Sequence, residues 1–166
     1  MKLKDVMEKI ESHSEYKEWK KEHKDCYLAH AFMMMDKANE NMWQIGYYNP
    51  KQDKVTSFIL EGDNLKISPE LNIFKRPGTK VAKLDVGKVK IGSIEAIEKA
   101  EEVMAKDYPK ASPIKMFFII QNLPKEGHVF NITFVTQDFK TVNIRISSET
   151  GKILCHSMEN LLEIKK

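Results

Sequence analysis

The stretch that decides the fold is "VFNITFVTQDFKTVNIRIS", residues 129–147, because it has the pattern of a complete β-hairpin. Apolar side chains alternate with more polar ones on both sides of a polar turn, as in strands with one buried face. These side chains are Phe130, Ile132, Phe134, Val142, Ile144 and Ile146. The same pattern occurs in "MWQIGYYNPKQDKVTSFIL", residues 42–60. The sequence therefore predicts two antiparallel hairpins, each with one buried face.

Helical patterns precede both hairpins. Residues 4–23 predict an amphipathic helix that is weak in its middle, at "SHS". Ser93 is suited to cap a second helix, "IEAIEKAEEVMAKDY", which ends before Pro109. The helix and hairpin of the first half recur at one constant offset in the second half, so that Trp43 corresponds to Phe130. The common spacing indicates a duplication.

The duplication predicts an α+β protein of two similar repeats. Each repeat would hold one helix packed on an antiparallel β-meander of three or four strands. We place the repeats at residues 1–68 and 93–166. Residues 69–92, with Pro69, Pro77 and three glycines, would be a linker whose tail could add an edge strand. Each repeat alone would bury only a marginal core, so we expect the two to pack together.

The second repeat resembles the PepSY domain. The resemblance rests on "KLDVGKVKIGSIEAIEKAEEVM", "FNITFVTQDFKTVNIRISSETGKIL" and the ending from Glu149 to Leu154. It covers residues 93–157 and, through the repeat, 5–67 more loosely. The resemblance implies a small non-catalytic module of a family proposed to bind or inhibit peptidases, often outside the cytoplasm.

Composition and charge restrict the partners. The 166 residues are 42% hydrophobic and 31% charged, with a net charge of +3. Arg76 and Arg145 are the only arginines, and dispersed lysine is typical of a solvated surface. Specific nucleic-acid recognition favours arginine, so we expect no nucleic-acid partner. Association with RNA or the ribosome through lysine remains an alternative.

The chain also predicts a compartment. Its N-terminus lacks the apolar core of a secretory signal, and no segment has the ~20 apolar residues of a membrane span. The cysteines, Cys26 and Cys155, are too few for a disulfide framework. We therefore expect a cytoplasmic protein with thiols, without membrane association.

No catalytic signature is present, since the sequence has no Walker loop, dinucleotide-binding glycine pattern, HExxH or CxxC pair. We therefore expect no enzyme and no cofactor. The alternative is a metal protein or enzyme whose ligands would come from His23, Cys26, His30, Cys155 and His156. Adjacent strand residues point to opposite faces, so only one of the last two could ligate.

Exposed apolar groups at turns are the candidates for contact with a protein or an extended peptide, which could add a strand to a sheet edge. Tyr48 lies beside the Asn-Pro turn and Phe139 at a hairpin tip, while Lys75 and Arg76 lie in the linker. Trp43 and Tyr47 could stack on bases, as in some RNA binders. Core positions are favoured for both, because their partners in the second repeat are phenylalanines.

Overall fold

A computed structural model of the protein describes residues 2–35, 42–68, 71–72 and 80–161. Its α-helices are α1 (Leu3–Ser12), α2 (Ser14–Glu22) and α3 (Ser93–Asp107). Its strands are β1 (Tyr27–Met35), β2 (Met42–Asn49), β3 (Lys54–Glu61), β4 (Asn64–Ile67), β5 (Leu71–Asn72), β6 (Pro113–Leu123), β7 (Gly127–Thr136), β8 (Lys140–Ser147) and β9 (Ile153–Asn160). A 3₁₀ turn spans Val86–Lys88.

The helix predicted over residues 4–23 is two helices. His13 has an extended backbone (φ −74°, ψ 139°), which separates α1 from α2 within the "SHS" stretch. Serine and histidine are weak helix formers, so the break falls where helix propensity is lowest. At α3 the cap position belongs to Gly92, and Ser93 is the first helical residue, so the predicted cap is displaced by one position.

All strands belong to one antiparallel sheet. The main path runs β4-β3-β2-β1-β6-β7-β8-β9, and the short β5 pairs with β3 beside β4. The join in the middle is the pairing of β1 with β6, in which His30 opposes Gln121 and Met35 opposes Met116. Strands far apart in sequence thus form the centre of the sheet.

The prediction of two separate helix-on-meander repeats is wrong, although the protein is α+β in a loose sense. The pairing of β1 with β6 removes the edge that each meander would otherwise expose, and this satisfies two rows of backbone hydrogen-bonding groups. The cores also merge, because the rings of Trp43 and Phe118 lie 5.6 Å apart across the join. A continuous sheet buries more apolar surface than two units of about 75 residues could.

The main core lies between one face of the sheet and the three helices. The alternating residues predicted for the hairpins are buried there, including Trp43, Tyr47, Phe130 and Phe134. The Phe118 ring contacts both Trp43 and Phe130, each at 5.6 Å between centroids. The expectation that these aromatic residues belong to the core is confirmed.

The segment from residue 80 to 91 crosses the end of the sheet. It contains the 3₁₀ turn, and Leu84 is buried in the core with its N–H donated to the Leu28 carbonyl. The edge strand expected in this tail is instead β5, earlier in the predicted linker. The boundaries placed at residues 68 and 93 stay a prediction.

Candidate functional site

The sheet ends at β9, an edge strand with little cover. Six of its eight residues are exposed, and they lie on both faces of the sheet. His156 and Met158 oppose Ile144 and Val142 of β8 and therefore lie on the helical face, yet both are exposed. The helices thus leave this part of the sheet open.

The outer backbone groups of β9 are directed away from the sheet. Leu161 donates its N–H to the Phe139 carbonyl at 2.8 Å, in register with the β8–β9 pairing. Because hydrogen-bonding direction alternates along a strand, Glu159 and Ser157 also face β8. His156 and Met158 then direct their N–H and C=O groups outward, where the structure describes no further strand.

Most of the usual protections of an edge strand are missing from β9. The strand, "ILCHSMEN", contains no lysine, arginine or proline, and a register shift beside Cys155 is confined to its start. The opposite edge differs, because β4 is only four residues long and includes Lys66. The one charged side chain of β9 is Glu159, and an edge with so little protection is a surface at which another strand can add.

Phe139 extends this surface at the end of β9. Its side chain is 61% exposed and its backbone has φ +60°, a left-handed conformation that bulky residues rarely adopt. Its carbonyl accepts the N–H of Leu161, which is also exposed. Glycine or asparagine would be less strained at this position of the turn. Because a strained backbone often marks a functional position, the exposed Phe139 is a candidate for function.

A polar group of side chains borders β9 on the helical face. The hydroxyl of Tyr108 lies 2.7 Å from Nδ1 of His156, and Asp107 Oδ2 lies 3.6 Å from Nε2 of the same ring. A cavity of about 330 Å³ lies beside them, and Met158 and Lys140 form part of its lining. We call Phe139, Leu161, Met158, His156 and Tyr108 the β9 surface.

Tyr48 does not belong to an exposed tip. It is 6% exposed, and its hydroxyl donates to Asp53 Oδ1 at 2.5 Å. That hydrogen bond and burial raise the pKa of Tyr48 to about 12. Its ring packs on Ala29 and Val55 in a small second cluster. The other predicted contacts, Lys75 and Arg76, lie outside the described residues.

The residues of the metal alternative fall into two separate groups, since His23 and Cys26 line one cavity while Cys155 and His156 lie on β9. Four strand spacings separate β1, which holds His30, from β9, which holds Cys155, or about 19 Å. His23 stacks on Trp19 and its Nδ1 lies 2.7 Å from the Trp19 carbonyl oxygen. Among the residues that the structure describes, no group of three or more His, Cys, Asp or Glu side chains could hold a metal ion.

His30 has a packing role that its sequence position did not suggest. Its ring covers Gly46 on β2, where an added Cβ would lie 2.2 Å from the imidazole Cε1. Burial lowers the pKa of His30 below its ordinary value. Arg145 is also engaged, since its Nη1 donates to Glu126 Oε1 at 2.7 Å.

The sequence pattern identified Phe139 but not the rest of the β9 surface. The predicted closing strand, "KILCHS", ended before Met158, whereas β9 continues to Asn160. The usable signal was the position of the strand, because the last strand of an antiparallel meander lies at an edge unless it is covered.

Comparisons with known proteins inform the fold. No protein-family model matches the chain, and no curated protein matches it. The chain is similar to the crystal structure of a putative lipoprotein from Clostridium difficile 630, with a TM-score of 0.55 and 13% sequence identity. The similarity covers 86% of this chain and 89% of that one, and it concerns the fold alone. The resemblance to the PepSY domain stays a prediction.

Within the described ranges, no helix combines the length and the apolar character that crossing a membrane requires.

Proposed function

We propose that the protein is a binding module that takes up an extended segment of a partner protein along β9. The observation that supports this proposal is the eight-residue edge strand, exposed on both faces and without lysine, arginine or proline. Natural sheets normally protect such edges, because they otherwise pair with other chains. Retaining a weakly protected edge is reasonable where pairing is the function.

Main-chain pairing would provide the affinity. An added strand would exchange hydrogen bonds with the outward N–H and C=O groups of His156 and Met158, at roughly 0.5–1.5 kcal/mol net for each bond. Alternate side chains of the segment would contact the Met158 side chain and the cavity beside Tyr108. Phe139 and Leu161 would contact one end of the segment.

The proposal is tested by blocking the outward hydrogen-bonding groups of β9 while its hydrogen bonds to β8 are kept. Peptides are first selected from a random 12-residue library on the wild-type protein, and their affinities are then measured by calorimetry. Met158→Pro removes an outward N–H and adds a ring at the edge, while the bonds to β8 come from Ser157 and Glu159. We expect Met158→Pro to abolish binding.

Met158→Ala is the matched control, because it removes the side chain and keeps the backbone donor. We expect a loss of severalfold at most in this variant, and circular dichroism should show that both variants are folded. Equal affinity of the proline variant and the wild type for every selected peptide would exclude edge-strand addition at β9.

The resemblance to the PepSY domain suggests a peptidase as one partner of this kind. Its test is inhibition of a peptidase from the native cell by the wild type but not by Met158→Pro. The cytoplasmic location is also a proposal, and fractionation of the native cell tests it.

A further inference from the structure

A second, separate site lies at the other end of the fold. A cavity of about 650 Å³ opens between α1, α2, the start of β1 and the segment that crosses the end of the sheet. Its size is within the range of sites for small molecules. The apolar part of its lining includes Met7, Leu28 and Leu84. The cavity shares no residue with the β9 surface.

His128 brings a buried polar atom to this cavity. The residue is 7% exposed, and its Nε2 accepts the backbone N–H of Asp85 at 2.9 Å. Burial, followed by the charge of Lys88, lowers the pKa of His128, so the ring is neutral near pH 7. A neutral ring that accepts at Nε2 carries its proton on Nδ1.

The Nδ1–H of His128 has no protein partner in the described part of the chain. Among the described residues, the one side-chain nitrogen or oxygen that is both fully buried and without a partner is Nε of Arg145. Because Nδ1 of His128 also has no partner, it cannot be fully buried and retains contact with solvent. His128 is also among the residues that line the cavity. A donor on a ring that is nine-tenths buried is therefore available to a ligand in the cavity.

Cations predominate around the same space. Lys20, Lys83 and Lys88 line the cavity, against the carboxylates of Glu11 and Asp85. Asp85 is already engaged, since its Oδ1 accepts the N–H of Gly87 at 2.9 Å. The lining thus carries three cations against two carboxylates, a small excess of positive charge.

Lys20 is held at the cavity wall. Its Nζ donates to the carbonyl of Cys26 at 2.8 Å and lies 5.9 Å from the centre of the Tyr47 ring. The Tyr47 hydroxyl, in turn, lies 3.3 Å from that of Tyr16. This lysine is therefore ordered before any ligand arrives, which lowers the entropy lost on binding.

We infer that this cavity binds a small organic anion with an apolar body. The anionic group would accept the Nδ1–H of His128 and pair with the lysines, while the apolar body would lie against Met7, Leu28 and Leu84. This site is independent of the proposed binding of a protein segment at β9.

The test compares two probes that share one body and differ in charge. The affinities of 4-phenylbutyrate and its neutral analogue 4-phenylbutyramide are measured by calorimetry, and the ¹⁵N signal of His128 Nδ1 is followed by NMR. We expect the acid to bind several times more tightly than the amide and to shift the Nδ1 signal.

The variants test two cations of the lining that lie at exposed positions. In Lys83→Gln/Lys88→Gln the affinity for the acid should fall by about threefold or more, since partly exposed ion pairs are individually weak. Lys90→Gln is the matched control, because Lys90 is exposed on the same segment and does not line the cavity. Equal affinities for acid and amide, or no binding of the acid at millimolar concentration, would overturn the inference. So would an unchanged affinity in the double variant.

Discussion

Phe130→Ala should cause a large loss of stability, because its side chain is buried in the core on an inner strand of the sheet. Phe130 is 1% exposed, opposes Ile120 on one side and Ile146 on the other, and its ring lies 5.6 Å from that of Phe118. Removing a fully buried phenylalanine from such a site costs about 3–5 kcal/mol, including the cavity that remains. That is a large share of a typical folding free energy of about 5–15 kcal/mol.

The loss is measured by urea denaturation and by thermal melting. In a chain of this length, each kcal/mol of lost stability lowers the melting temperature by about 2–4 °C. The expected loss therefore lowers the melting temperature by about 6–20 °C. Phe139→Ala is the control of the same chemistry at an exposed position, and it should change stability by less than about 0.5 kcal/mol. A loss below about 1 kcal/mol in Phe130→Ala, or equal losses in the two variants, would refute this account of the core.

Three further predictions concern conformation and charge. Phe139→Gly should raise the unfolding free energy by up to about 1 kcal/mol, because glycine removes the strain of φ +60°, and a lower value in urea denaturation would argue against strain at this tip. Gly46→Ala should destabilise by about 1–3 kcal/mol, because the new Cβ would lie 2.2 Å from the His30 ring. In a double-mutant cycle His30→Ala should relieve most of that loss, and additive losses would contradict the packing described. Burial lowers the pKa values of His30 and His128 in the folded state, so the unfolded chain binds protons more readily as pH falls below about 6.5. Their contribution to stability is therefore present above that pH and is lost as the pH falls towards their lowered folded-state pKa values. His30→Gln should lose less stability than the wild type when urea denaturation is repeated at decreasing pH.

The sequence predicts the buried face of each hairpin well. Alternation with period two is a local property, so Trp43, Phe130 and Ile144 could be assigned to the core without knowing the topology. The break between α1 and α2 also follows from a local weakness, at "SHS".

Long-range relations could not be predicted in the same way. Nothing in the local pattern of β1 or β6 indicates that these strands pair with each other, and this pairing converts two expected meanders into one sheet. Tyr48 was expected at the surface because it precedes a turn, but Asp53 and Val55 lie against it across that turn. The β9 surface likewise depends on which strand the sheet leaves at its edge.

The most direct test of edge-strand addition is amide hydrogen exchange along β9, measured by NMR without and with a selected peptide. In the protein alone, the amide protons of His156 and Met158 should exchange much faster than those of Ser157 and Glu159, which face β8. With peptide bound, the account predicts that His156 and Met158 become as protected as their neighbours. Fast exchange at both residues in the saturated complex would contradict it.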